Sequence, residues 1–305
     1  MPKPLNEQVV VISGAASGIG RATARRFATK GARLVVGGRS AAGIDAIVAE
    51  IKAGGGVIAG MEVDVSHREQ VEALAAFALE SHGRIDTWVN NAGVSIYGRF
   101  DQIPEDEVRR LFDVNLMGTV YGMWTALPIL RAGGGGTIIN LASVVGKRGL
   151  PLQNFYSSSK FAIIGLTEAV RIELKTQKDN IGLCAICPPS IDTPFYDNAV
   201  TRMGFTPKPL PVVLSADRVA RDIVKCAVRP RREVWVGLVG KAFVGLSVLF
   251  PWMMDQFILS LGFQAQLTAE PKSPDGEAAL FHPTSLTGEG GDWDAWGQRR
   301  GAVNK

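Results

Sequence analysis

Short β-branched runs alternate along this chain with longer stretches of helical spacing. Val9-Val10-Val11-Ile12 and Arg33-Leu34-Val35-Val36 are compact apolar runs of the kind buried on both faces of a sheet. The pattern predicts strands near 8–13, 32–38, 56–62, 85–91, 136–142, 181–187 and 233–237. Between them it predicts helices near 18–30, 40–53, 67–82, 105–131, 155–178 and 216–228. Gly54-Gly55-Gly56 and Gly133-Gly134-Gly135-Gly136 punctuate helix-to-strand connections. Strict alternation of this kind implies an α/β fold with a doubly wound, mostly parallel, seven-stranded sheet.

Three stretches depart from that rhythm. Helix 105–131 is apolar on more than one side, through Val114, Leu116, Met117, Val120, Met123, Trp124 and Leu127, which implies a partner surface. Residues 190–214 form a long connection carrying Phe195, Tyr196, Met203, Phe205, Pro207, Pro209 and Pro211. Such loops are uncommon unless they are functional or disordered. The third is Val234 to Phe263, rich in Val, Leu, Phe, Trp and Met and broken by Lys241, Pro251 and Asp255. Its uncharged part, Ala242 to Met254, is short of the ~20 residues that cross a bilayer. Three readings stand for it: a cap on a pocket or oligomer interface, an interfacial membrane helix, or a spanning segment. From about 270 the chain turns polar and glycine-rich, with Trp293 and Trp296. That tail is expected to be irregular and ordered only by packing on a neighbour. The division is thus a catalytic domain over 1–240 and a C-terminal apolar extension over 241–305.

Composition narrows the function classes. A hydrophobic share of 46% in 305 residues supports one sizeable core without a second domain. Net charge is +4, and the basic clusters Arg229-Pro230-Arg231-Arg232 and Arg299-Arg300 are too few for a nucleic-acid surface. The cysteines are Cys184, Cys187 and Cys226. In a strand, Cys184 and Cys187 point to opposite faces, and His67, His82 and His282 form no ligand-spaced group, so no metal site is expected. Buried thiols in a reducing compartment are the simpler reading. The first residues, Met1 to Gln8, hold no apolar run, so no secretory signal is expected and the placement is cytoplasmic, with peripheral membrane contact through 234–263 as an alternative.

Candidate chemistry begins at the first strand's end. Ser13-Gly14-Ala15-Ala16-Ser17-Gly18-Ile19-Gly20 joins a strand to a helix, the context that a dinucleotide site requires. Gly14 and Gly18 permit a tight turn and close backbone approach, and Gly20 lets the helix pack on the sheet. The helix N-terminus then faces the pyrophosphate with free N–H groups. At the next strand end an NAD site places a carboxylate for the ribose hydroxyls. Here stand Gly38 and Arg39, and a guanidinium suits a 2′-phosphate, so NADP(H) is expected over NAD(H). The alternative for Arg39 is a solvated surface residue. Asn90-Asn91-Ala92-Gly93 ends one central strand and Ser143 follows another, both at the edge where open α/β sheets bind ligands. Tyr156 and Lys160 lie four residues apart on one helical face. An ammonium ~4 Å from a phenol at an effective dielectric of ~20 contributes roughly 4 kcal/mol, about three pKa units toward the phenolate. That places a tyrosine in the range of a general acid/base.

Over roughly residues 5–240 the chain resembles the single-domain short-chain dehydrogenase/reductase family. The resemblance rests on Gly14, Gly18 and Gly20, the Asn90-to-Gly93 turn, Asn115, Ser143, Tyr156 and Lys160. It implies a Rossmann-like fold and a catalytic tetrad of Asn115, Ser143, Tyr156 and Lys160, with Ser143 and Tyr156 meeting the substrate. It further implies cofactor contacts from Ser13, Gly14, Ser17, Gly18, Ile19, Gly20, Arg39, Asp64, Val65, Asn91, Tyr156, Lys160 and Thr193. The family pairs the helix at 105–131 with the Tyr-bearing helix across a subunit interface, which implies a homodimer or homotetramer. It places a substrate lid at 190–214. Two departures stand out: Ser13 replaces the family's Thr, and Pro188-Pro189 replaces Pro-Gly, which puts the local path near Thr193 in doubt. The implied activity is reversible hydride transfer between NADP(H) and a lipophilic carbonyl or secondary alcohol. Competing readings are a non-catalytic NADP(H)-binding sensor or scaffold, an NAD-preferring alcohol dehydrogenase, and a 3-oxoacyl reductase.

Overall fold

The computed structural model describes residues 2–273 and 278–300. Its centre is a seven-stranded parallel sheet in the order β12-β7-β6-β4-β1-β2-β3. The strands are β1 (Val9–Ser13), β2 (Arg33–Gly38), β3 (Ile58–Glu62), β4 (Thr87–Asn90), β6 (Gly136–Leu141), β7 (Ile181–Cys187) and β12 (Glu233–Trp235). A short β5 (Ile96–Tyr97) lies outside the sheet. Each expected strand is present, with its ends within two residues of the expected bounds. Alternate residues of β1 and β2 serve opposite faces. Val10, Ile12, Leu34 and Val36 join Phe27, Ile44, Ile47, Val219 and Ile223 from α1 (Gly18–Ala28), α2 (Ala41–Ala53) and α7 (Ala216–Val228). Val11 and Val35 join Leu74, Leu111, Met123 and Leu130 from α3 (Arg68–His82), α4 (Glu105–Phe112) and α5 (Gly118–Ala132). Helix α6 (Asn154–Thr176) completes that second layer. Burial on both faces is why these strands are apolar throughout rather than alternating.

The helix expected over 105–131 runs from 105 to 132 but is not α-helical throughout. A π-helical turn over Asp113–Met117 separates α4 from α5, with the Gly118 amide donating to the Asp113 carbonyl. A π turn inserts one residue and re-aims the side chains around it; here it buries Asn115 completely. Close packing then depends on glycine: a Cβ at Gly122 would lie 1.9 Å from Asn90 Oδ1.

The connection at 190–214 is pinned rather than open. Strand β8 (Ile191–Asp192) pairs with β11 (Leu214–Ser215), β9 (Val200–Thr201) with β5, and β10 (Phe205–Pro207) with β13 (Leu267–Pro271). The apolar extension forms two helices, α8 (Gly237–Leu249) and α9 (Pro251–Leu261), broken where Pro251 starts the second. No helix among the described residues is long and apolar enough to cross a membrane, which removes the spanning reading. The tail also corrects the expectation drawn for it. It packs on its own chain, with Trp293 1% exposed against the ring of Tyr196 at 6.0 Å, whereas Trp296 is 70% exposed. Residues 274–277 and 301–305 of the 241–305 extension lie outside the described residues.

Candidate active site

The sheet order reverses between β1 and β4, and a cleft opens at their carboxyl ends. A single cavity of about 580 Å³ runs there from Arg39 and Asp64 at one end to Ser143, Tyr156 and Lys160. Gly14 and Gly18, both with positive φ, make the turn. A Cβ on Gly14 would stand 2.7 Å from Ala92 Cα, and one on Gly20 would stand 2.1 Å from the Gly14 carbonyl oxygen. Gly20 therefore lets α1 pack against the Gly14 turn and the Asn91 side chain at the strand ends. Ser17, Gly18 and Ile19 line the cleft, and the amides of Ile19 and Gly20 at the start of α1 make no hydrogen bond among the described residues. Open amides at a helix N-terminus fit a pyrophosphate.

Ser13 has a different task from the one expected. Its hydroxyl donates to the Val89 carbonyl (3.4 Å) and accepts from the Asn91 amide (3.2 Å), tying β1 to the end of β4. It does not line the cavity. Asn91 Nδ2 donates to the carbonyls of Ser13 (3.2 Å) and Gly14 (2.9 Å), so it fixes the glycine turn while lining the cleft. Thr193 packs its methyl against Gly18, 3.1 Å from where a Cβ would sit. Val65 lines the cleft behind Asp64.

At the far end Arg39 and Arg110 lie together. Arg39 donates to the carbonyls of Ala279 and Leu280, and Arg110 pairs with Asp64. Burial raises the Asp64 pKa, but hydrogen bonds from Arg110 and Ser66 outweigh it, and the carboxyl ends below its usual range. Arg110 was not among the residues expected from sequence. It sits in the last turn of α4 with no motif around it, and only the fold brings it to the ends of β2 and β3.

The tetrad converges in part. Burial raises the Tyr156 pKa far above the ordinary value, with Tyr196 adding to the rise and the Ser143 hydroxyl opposing it, while that hydroxyl donates to the Pro188 carbonyl at 3.3 Å. Lys160 Nζ donates to the Leu141 carbonyl at 2.8 Å and lies 5.5 Å from the Tyr156 ring centre. Among the described residues Nζ makes no hydrogen bond to the phenol, because the buried ammonium is satisfied by the Leu141 main-chain acceptor. Burial lowers the Lys160 pKa to about 8, against a smaller opposing effect of Cys187. Asn115 accepts from the Val94 amide (2.8 Å) and donates to the Val94 carbonyl (3.0 Å) and to Ser159 Oγ (3.1 Å). Its side chain braces the strand end and the Tyr-bearing helix.

Comparison with known proteins decides the class. A model of the short chain dehydrogenase family matches residues 8–203. The chain belongs to the short-chain dehydrogenase/reductase family. An uncharacterized oxidoreductase of Bacillus subtilis, YxnA, is 35% identical over 281 residues, covering 92% of this chain and 79% of that protein. A 3beta-hydroxysteroid dehydrogenase of Mediterraneibacter gnavus is 36% identical over 64% of this chain and 70% of its own. Among solved structures, a short-chain dehydrogenase/reductase from Burkholderia phymatum in complex with NAD superposes with a TM-score of 0.74. It is 26% identical and covers 93% of this chain and all of its own. This dehydrogenase/reductase is accordingly an oxidoreductase that acts on CH–OH donors with a nicotinamide dinucleotide. Its open helix amides and glycine turn fit that cofactor, and the hydroxyls of Ser143 and Tyr156 lie at the opposite end of the same cavity.

Proposed function

We propose that this enzyme moves a hydride between NADP(H) and a lipophilic carbonyl or secondary alcohol, with Tyr156 as general acid/base. The observation that carries the reading is one cavity holding the nucleotide-binding turn at one end and the Ser143–Tyr156 hydroxyl pair at the other. When bound, NADPH would supply a hydride for the substrate carbonyl carbon. Ser143 donates to the carbonyl oxygen and holds it beside the phenol. Tyr156 gives that oxygen its proton, converting ketone to alcohol, and takes the proton back in the reverse direction. Lys160 holds the proton store behind the phenol, with a pKa close to the working range. Asn115 keeps Val94 and Ser159 in place beneath them.

Support for NADP(H) comes from the Arg39 guanidinium, which lines the cavity at the end of β2 beside Asp64, a carboxylate that Arg110 already pairs. Support for a lipophilic substrate comes from Val145, Leu150, Phe195, Leu210, Phe243 and Phe257 around the catalytic hydroxyls. Two relatives carry hydroxysteroid dehydrogenase names, including 17-beta-hydroxysteroid dehydrogenase 13 of Rattus norvegicus at 30% identity over 84% of this chain. The test follows nicotinamide absorbance with a panel of hydrophobic ketones. NADPH should outperform NADH, and Arg39→Ala should reduce that preference by about 10-fold or more. Equal use of both cofactors by the unmodified enzyme would contradict the NADP(H) assignment.

Two surfaces carry the remaining expectations. Trp124 on α5 and Phe161 on α6 are 53% and 45% exposed, and they support pairing of two copies through that face. Leu249, Phe250, Trp252 and Met253, at the α8–α9 corner, are all exposed and uncharged. This corner supports peripheral attachment of a cytoplasmic protein to a lipid surface.

A further inference from the structure

The C-terminal tail lies across the cofactor cleft. Its residues Ala279, Pro283, Thr284, Leu286 and Thr287 line the same cavity as Gly18, Ile19, Arg39 and Asp64. Four groups of contacts seat it. The Gly288 carbonyl accepts from the Gly18 amide at 3.0 Å, and the Thr287 carbonyl from Arg21 at 3.5 Å. Glu289 pairs with Arg25 at 2.8 Å. The carbonyls of Ala279 and Leu280 hold Arg39, and Leu280 also accepts from Arg110 at 3.0 Å. At the other end, Asp192 Oδ1 accepts from the amides of Gly291 (2.9 Å) and Trp293 (3.0 Å), and Oδ2 from Arg300 (2.6 Å).

We propose that residues 278–293 form a removable wall of the cofactor site, which positions Arg39 and must lift for the dinucleotide to enter or leave. The amide of Gly18 is taken by the strap, while those of Ile19 and Gly20 beside it remain open, so the cleft is roofed without being filled. Next, the seat is polar on the α1 side. Arg25 is half exposed and Glu289 lies at the surface, and ion pairs of that kind contribute less than about 1 kcal/mol. Such a seat can open without unfolding the sheet. The latch, by contrast, is firm: Trp293 is buried between Tyr196 and the Arg299 guanidinium, 4.3 Å from the ring. Asp192 is covalently adjacent to Thr193, which packs on Gly18, and Tyr196 lines the substrate end of the cavity. Strap position is thereby tied to both halves of the site.

The inference rests on dinucleotide binding in this cleft, and its test separates the two. Dissociation of bound NADPH is measured by stopped-flow displacement, following nicotinamide fluorescence, in the full-length chain. Asp192→Ala and Glu289→Ala loosen the latch and the seat. Arg25→Cys with Glu289→Cys, bridged by a short bis-maleimide, locks the strap down. Loosening should speed dissociation by about 10-fold and locking should slow both association and dissociation by at least as much. Unfolding transitions of each variant show whether the fold persists, and the locked form answers independently of the loosened ones. Cofactor exchange at the unmodified rate in the locked enzyme overturns the proposal. Failure of the unmodified enzyme to bind any dinucleotide would instead overturn the cofactor reading itself.

Discussion

Lys160 shows how far a residue's role follows from its neighbours in sequence. The four-residue spacing to Tyr156 places both side chains on one helical face, and the structure keeps that placement. The choice of the Leu141 carbonyl as its acceptor depends on the sheet edge and is not written in the helix. A consequence is measurable. With its pKa lowered by burial from 10.5 to about 8, Lys160 binds fewer protons in the folded than in the unfolded state between those values. Folding stability therefore rises with pH across that window and has no slope from this group below it. Relative to Lys160→Met, the unmodified cofactor-free protein should gain up to roughly 3 kcal/mol from pH 8 to 10.5, read from urea unfolding at a series of pH values. A constant difference would show that the ammonium is not desolvated. The glycines, Asn115, Ser143, Tyr156 and Arg39 were legible because each stands in a motif or at a strand end. Arg110 was not, since an arginine in the last turn of a helix gives no signal until α4 is placed against β3.

At the scale of elements, period decided what could be read. The strands of the core announced themselves as short apolar runs and its helices through 3.6-residue periodicity. Helices α8 and α9 did not, because they are apolar on nearly all sides and Pro251 interrupts them. The π turn at Asp113–Met117 was equally invisible, as one inserted residue leaves the apolar pattern almost unchanged. Among these elements α1 has the least room. A methyl group on Gly20 would lie 2.1 Å from the Gly14 carbonyl oxygen and 2.5 Å from Asn91 Nδ2. Gly20→Ala should push α1 from β1, lower stability by about 1–3 kcal/mol and weaken dinucleotide binding together. Urea midpoints and cofactor titration check this; unchanged affinity would mean that the turn tolerates a shifted helix.

For the whole molecule, the extension ties the nucleotide end, the substrate end and the surface into one unit. Phe243 and Phe257 face the cavity from α8 and α9, while Trp252 and Leu259 on the outer side are 68% and 69% exposed. An apolar patch of this kind, next to an apolar pocket, should give measurable binding to phospholipid vesicles. Trp252→Glu with Leu259→Glu should remove most co-sedimentation and leave turnover of a water-soluble ketone intact. Vesicle binding that survives both changes would place the contact elsewhere. The tail's path over the cleft was beyond sequence reading, because its seat is made largely of main-chain carbonyls and amides that composition does not encode.

The central claim is that the Tyr156 hydroxyl delivers the proton while bound NADPH delivers the hydride. Single-turnover reduction of a ketone by Tyr156→Phe, with NADPH affinity measured on the same sample, tests it most directly. The account predicts a loss of about 10²–10⁴-fold in the chemical step with cofactor affinity nearly unchanged. Turnover at the unmodified rate, with cofactor bound, would contradict it.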